Sequence, residues 1–240
     1  GINETDIQKY GHPLSDAEVA NVLSIIQRHN PKVVGLDIYR KTEHPPGLVE
    51  LQTQLAADNL IAITNVGTDP AVGEVPPPDG VPWNRVGFND FSIDPDGVVR
   101  RGLLSVSAAD RPFYSFALRA TLAYLPQRGT AFYHDDGSLY INGQAIPRLN
   151  AKSGGYESAD DRGFQTLLRF RSRTSPAEVI SIEDVMEGNF NPTQFEGKIV
   201  LIGAVAPSLK DEFFTPYSAS REYQFKMAGV VVHAQIISQL

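Results

Sequence analysis

Two carboxylates one residue apart, Asp94 and Asp96 in the stretch IDPDGVV (93–99), form the most enzyme-like pattern in the chain. Such a pair can divide the work of phosphoryl transfer, one carboxylate attacking phosphorus and the other handling the leaving-group proton beside a magnesium ion. Arg100 and Arg101 follow at once. In a strand adjacent side chains face opposite sides, so at most one of them is expected to point into a site. A second set of candidates gathers where apolar runs stop. Asp37 closes VVGLDI (33–38), and KIVLIGAVAPSLKDEFFTPYS (198–218) ends its apolar run in Lys210, Asp211 and Glu212. Pro207 ahead of two acids fits the first turn of a helix, whose amides could face a polar ligand. His233 stands on a run of helical period near the C-terminus.

The carboxylate pair resembles the nucleophile loop of haloacid-dehalogenase-type phosphatases, but that loop needs a buried strand to aim its first aspartate. Here Asn89, Asp90, Phe91, Ser92 and Ile93 precede it, and Asp94-Pro95-Asp96-Gly97 has the composition of a type I turn. Aligned as a calcium loop, the stretch puts Ser92 at the first ligand position and Leu103 where a bidentate glutamate belongs. Gly197-Lys198 lacks the earlier glycine and the following hydroxyl of a phosphate-binding loop, and it precedes its strand. The five histidines, at 12, 29, 44, 134 and 233, show no metal-ligand spacing. No cofactor motif is present.

Elements that would position these residues can be read from periodicity. Ser15-Asp16-Ala17-Glu18 has capping-box spacing ahead of Val19, Val22, Leu23 and Ile26, so a helix is expected to run to Asn30-Pro31. Val33–Ile38 and Leu60–Val66 read as strands buried on both faces, with a helix at Leu48, Leu51 and Leu55 between them. That α-β-α-β order predicts a mostly parallel central sheet with right-handed crossovers. Residues 69–82 hold five prolines and should form a surface loop. An inserted α+β region is expected next: a strand over 98–106, a helix from Tyr114 to Leu125, and hairpin turns at Asp136-Gly137 and Asn142-Gly143. Residues 150–163 show no periodicity and should be mobile, Leu167–Phe170 can be a strand, and Ser181 should cap a short helix that Gly188 ends. Lys198–Ala204 supplies a further buried strand, and Met227, Val230, Ala234 and Ile237 mark a last helix.

The 240 residues are 42% hydrophobic, enough for one α/β domain over 1–240. Lys plus Arg number 21 against 28 Asp plus Glu, and a net charge of −7 makes nucleic acid an unsuitable partner. There is no cysteine and hence no disulfide. No run reaches the length of a membrane span. Gly1 follows no methionine, and the last helix reaches Leu240 without a stop signal, so the chain is expected to be a piece of a longer protein.

FEGKIVLIGA (195–204), Lys210-Asp211, Thr215-Pro216 and Met227, Gly229, Val230, His233 and Ala234 together resemble the C-terminal signature of the type 2 CHASE domain. Val34–Ile38, the DPDGVVRR segment (94–101) and Ser115–Arg119 fall in the family's order, so the resemblance spans nearly the whole chain. It implies an extracytoplasmic, periplasmic sensory domain of a bacterial inner-membrane receptor, held between membrane segments outside residues 1–240. Such domains signal to cytoplasmic adenylate cyclase, histidine kinase or serine/threonine kinase modules, and no catalytic residue is attributed to them. By analogy with those dimeric outputs a homodimer is expected, and the last helix would lead toward a membrane span. The expected function is sensory input. A small molecule or protein ligand would be held by some of Asp37, Arg100, Lys210, Asp211 and His233. The alternatives are a magnesium-dependent phosphohydrolase built on Asp94 and Asp96, and a structural domain for protein–protein assembly.

Overall fold

Ser15 does what its spacing predicts: its hydroxyl accepts from the Glu18 N–H and the Glu18 carboxylate accepts from the Ser15 N–H, closing a capping box. The computed structural model describes residues 1–66, 73–108, 111–125, 131–133, 138–218 and 225–240. Along these the order is α1 (Glu4–Tyr10), α2 (Asp16–Gln27), β1 (Val33–Asp37), α3 (Leu48–Leu55), β2 (Leu60–Thr64), β3 (Val86–Phe88), β4 (Ser92–Ile93), β5 (Val99–Ala108), β6 (Arg111–Tyr114) and α4 (Phe116–Tyr124). It continues with β7 (Ala131–Tyr133), β8 (Leu139–Ile141), β9 (Gln144–Ile146), β10 (Phe164–Leu167), α5 (Ile182–Glu187), β11 (Ile199–Gly203), β12 (Glu212–Phe213), β13 (Met227–Ala228) and α6 (Gly229–Gln239).

Among the described residues β11, β1, β2 and β3 pair in that order, all parallel. Leu36 and Leu60 are wholly buried, as strands covered on both faces require. The α2 side of the sheet is closed by α2, α3 and α5, with Val22, Leu23, Ile26, Leu51, Val34 and Ile202 in one apolar cluster. Each such aliphatic side chain contributes about 1.5–3 kcal/mol by leaving water. On the opposite face Phe116 and Ala120 of α4 pack against Val33, Ile61 and Ile63, and α6 lies against β11. Gly87 of β3 permits that packing, because a Cβ there would stand 2.6 Å from the Phe116 backbone.

The inserted region forms an antiparallel sheet of β10, β5 and β4, with β6 on β5. Its apolar face meets the other side of α4 and α6 through Leu104, Leu118, Phe164, Val232 and Ile236. The last helix is therefore held between two sheets, which explains its apolar character on more than one face. The hairpin signal at Asn142-Gly143 is realised between β8 and β9, with φ of 50° and 78°. Asp136-Gly137 lies outside the described residues, as does 69–72 of the proline-rich stretch.

Four expectations are corrected. The strand expected at 167–170 lies at Phe164–Leu167, where it can pair with β5. Residues 150–163, expected to be mobile, are pinned: Arg101 donates to the Asp160 carbonyl and the Tyr156 hydroxyl to Asp94, both at 2.7 Å. Pro207 begins a three-residue 3-10 turn instead of a helix, because Lys210 adopts φ 58° and turns the chain into β12, which pairs with β13. Met227 belongs to that β13, so α6 starts at Gly229. No helix among the described residues is long and apolar enough to cross a membrane.

Candidate functional site

β1 and β11 are neighbours whose chains leave the sheet in opposite directions, β1 toward β2 and β11 away from it. That is the switch point at which open α/β sheets form a crevice beyond the strands' C-terminal ends. Asp37 and Gly203 are the register partners at this edge. A side chain at 203 would meet Val230 of α6 at 2.8 Å and Asp37 at 3.2 Å, so the glycine lets helix and carboxylate close on the strand end.

Asp37 is surrounded by protein although part of its surface is accessible. Burial, reinforced by the Asp211 carboxylate, pushes it up to about 7 against a weak opposing hydrogen bond from Asn89. That bond, Asn89 Nδ2 to Asp37 Oδ1, is long at 3.4 Å. Asn89 is oriented from its other end by the Tyr39 hydroxyl, which donates to Oδ1 at 2.8 Å. Desolvation also raises the Tyr39 phenol to about 12. Asp211 is raised too, first by burial and then by Glu212. It marks the start of α6: the Gly229 N–H donates to the Asp211 carbonyl at 3.0 Å, and a Cβ at 229 would lie 2.7 Å from the Asp211 carboxylate. Two carboxylates that would each hold a proton more tightly than usual therefore converge on one helix terminus.

His233, one turn into α6, backs this region. It is 2% exposed, stacks on Phe91 at 4.5 Å and meets Phe116 edge-on at 5.1 Å. Burial pushes it down to about 3, so it is a neutral ring that bonds the Asn89 backbone while Nδ1 lacks a partner. Phe213 of β12 packs on Phe91 at 4.8 Å. Lys210 is exposed on the neighbouring turn.

Arg100 is not part of this group. Its guanidinium binds Asp94 at 2.8 Å and Asp96 at 2.7 Å, and Arg101 binds the other oxygen of Asp94 at 2.8 Å. Both arginines thus reach one carboxylate, because Asp94 sits at the β4–β5 turn within range of both. Asp94 is 4% exposed and also accepts from Tyr156, so the first carboxylate of the alternative phosphohydrolase pair, with Arg101, joins the turn to residues 156–165. Asn89 and Tyr39 were not singled out from the sequence. The signal available was their place one or two residues beyond a strand end, but the three-residue β3 that carries Asn89 leaves almost no periodic trace.

These features define an α/β domain with a polar, acid-lined crevice beside the start of its last helix. The chain belongs to the CHASE2 domain family, the match running over residues 1–240. CHASE2 is a family of sensory, non-catalytic domains. No curated protein and no solved structure matches the chain.

Proposed function

We propose that the chain is the extracytoplasmic input domain of a bacterial membrane receptor, and that the crevice of Asp37 and Asp211 is where its signal enters. One observation carries the reading: both carboxylates are held against burial at the sheet's switch point, and Asp211 touches the first residue of α6. A cationic or hydrogen-bond-donating ligand would relieve that cost, and so would a proton. It would act on α6, whose two faces are already fixed by two sheets, so a change at its start shifts the whole helix between discrete arrangements and not by gradual bending. The family's sensory character supports an output relayed to a cytoplasmic cyclase or kinase module, with α6 leading toward the membrane in a homodimer.

A thermal-shift screen of amines, amino acids and divalent cations tests this, since a ligand at about 100 times its Kd adds about 2.7 kcal/mol. The expected result is a stabilising compound whose effect is lost in Asp37→Asn and Asp211→Asn and kept in Lys41→Ala, a variant at an exposed ion pair with Asp79. A compound equally effective on all three variants would place the input elsewhere.

A further inference from the structure

Beyond the end of β1 the chain buries a guanidinium with little to hold it. Arg40 is 6% exposed, and Asp16, the first residue of α2, is 1% exposed. Arg40 Nη1 stands 3.5 Å from Asp16 Oδ1, yet among the described residues neither of these atoms makes a hydrogen bond, and nor does Arg40 Nε. The other oxygen, Asp16 Oδ2, accepts from the His44 N–H at 2.9 Å. Glu18 is occupied at the helix cap by the Ser15 N–H and hydroxyl. Burial pulls Arg40 below the usual guanidinium range, against the opposing pull of Asp16 and Glu18. Buried charges without their hydrogen bonds are costly, so this pair gains from any partner that completes both ends. The two side chains line a cavity of ≈ 60 Å³ beside α3, whose Leu51 and Leu55 form an apolar wall. Lys41 and Asp79 also line it, and they neutralise each other at 2.7 Å.

We propose that this cavity binds a small zwitterion, an α-amino acid of about glycine size, with its carboxylate on Arg40 and its ammonium on the free oxygen of Asp16. The unsatisfied atoms dictate the class: two donors on a cation and one acceptor on an anion ask for a ligand that carries both charges close together. A lone anion would take Arg40 and stand beside an unpaired carboxylate, and a lone cation would do the reverse. The zwitterion adds no net charge and replaces one weak contact with two charge-assisted hydrogen bonds. Arginine suits the first of these, because its planar fork matches a carboxylate. Size sets the limit on the ligand. On the scale where one water takes about 10–15 Å³, the cavity holds about four to six heavy atoms. The methylene between the two charged groups would rest on Leu51 and Leu55, which leaves no place for a long side chain. This site is separate from the acid crevice, since the exit of β1 sends Asp37 toward α6 and Arg40 toward α2 and α3.

The test is an NMR titration of the protein with glycine, and with acetate and methylamine as the two halves of the same ligand. The amides of Asp16, Arg40 and His44 and the Arg40 side-chain Nε–H should shift saturably with glycine and stay in place with either half. Asp16→Asn keeps an oxygen for the His44 N–H and removes the charge, so it should weaken glycine binding roughly tenfold or more. Asp37→Asn should leave the glycine affinity unchanged, which separates this site from the acid crevice. Glycine shifts that never saturate overturn the proposal, as do equal shifts with acetate or methylamine, which would mark a simple ion site. Loss of binding in Asp37→Asn with retention in Asp16→Asn overturns it by moving the ligand to the crevice. An Arg40 Nε–H that exchanges magnetisation with water and ignores glycine shows hydration only, and overturns it as well.

Discussion

Replacing Asp37 by Asn should make the protein more stable at neutral pH and leave it unchanged in acid. An aspartate in an unfolded chain titrates near 3.9, whereas burial and Asp211 hold Asp37 at about 7. The folded state therefore binds this proton more tightly than the unfolded state does. Well below pH 3.9 both states are protonated and Asp37 costs nothing. Between pH 4 and 7 the native state loses stability with each step, up to about 1.4 kcal/mol per pH unit. The full interval gives an upper bound of about 4 kcal/mol, and partial solvent access to the carboxyl lowers the expectation to about 2 kcal/mol. Asn89 and the space around position 37 suit an amide, so the variant keeps the contact and drops the charge. Urea denaturation of both proteins at pH 3, 6, 7 and 8 measures the difference directly. The gap between variant and parent should open with pH, in favour of the variant, and close at 3. A gap independent of pH, or a variant less stable at pH 8, would refute the reasoning.

Arg101→Ala removes one partner of the buried Asp94 carboxylate and should cost roughly 3 kcal/mol in chemical denaturation, with weakened protection of residues 156–165 in hydrogen exchange. With magnesium and p-nitrophenyl phosphate the protein should give no turnover that Asp94→Asn abolishes, since Asp94 is occupied by two arginines and a tyrosine. Gly87→Ala drives a methyl into the Phe116 backbone and should lower stability by about 1–3 kcal/mol, read as a lower thermal midpoint. Ser181→Ala deletes the hydroxyl that accepts from the Asp184 N–H at the start of α5 and should cost about 1 kcal/mol.

The parallel half of the fold was legible because its physics is local. VVGLD and LIAIT are runs that a doubly covered strand explains, IVLIG forms the half-buried edge strand of the same sheet, and the caps at Ser15 and Ser181 mark helix starts within a residue. Helix α1 was missed, since its seven residues carry little apolar surface. Its N-terminus is fixed by Asn3 and Asp6, and the same Asp6 caps α5 across the chain through the Glu183 N–H at 2.8 Å. That second role is a tertiary fact without a sequence trace. The site divided similarly. Asp37 and Asp211 were visible as charges beyond strand ends, and the sheet's topology brings them together. Arg100 looked equally suited, but its fate was decided by a hairpin that returns it to Asp94 and Asp96. The turn after β11 was misread because Pro207 and two acids fit a helix start as well as a 3-10 turn. The left-handed backbone at Lys210, which separates the two, is not a residue-type signal.

The most direct measurement is an NMR titration that follows the Asp37 side-chain carboxyl together with the Gly229 backbone amide. If the acid crevice is the input and α6 its reporter, the carboxyl should titrate with a midpoint near 7 and the Gly229 amide should move with that same midpoint. An ordinary midpoint near 3.9, with a Gly229 amide that stays fixed throughout, would contradict it.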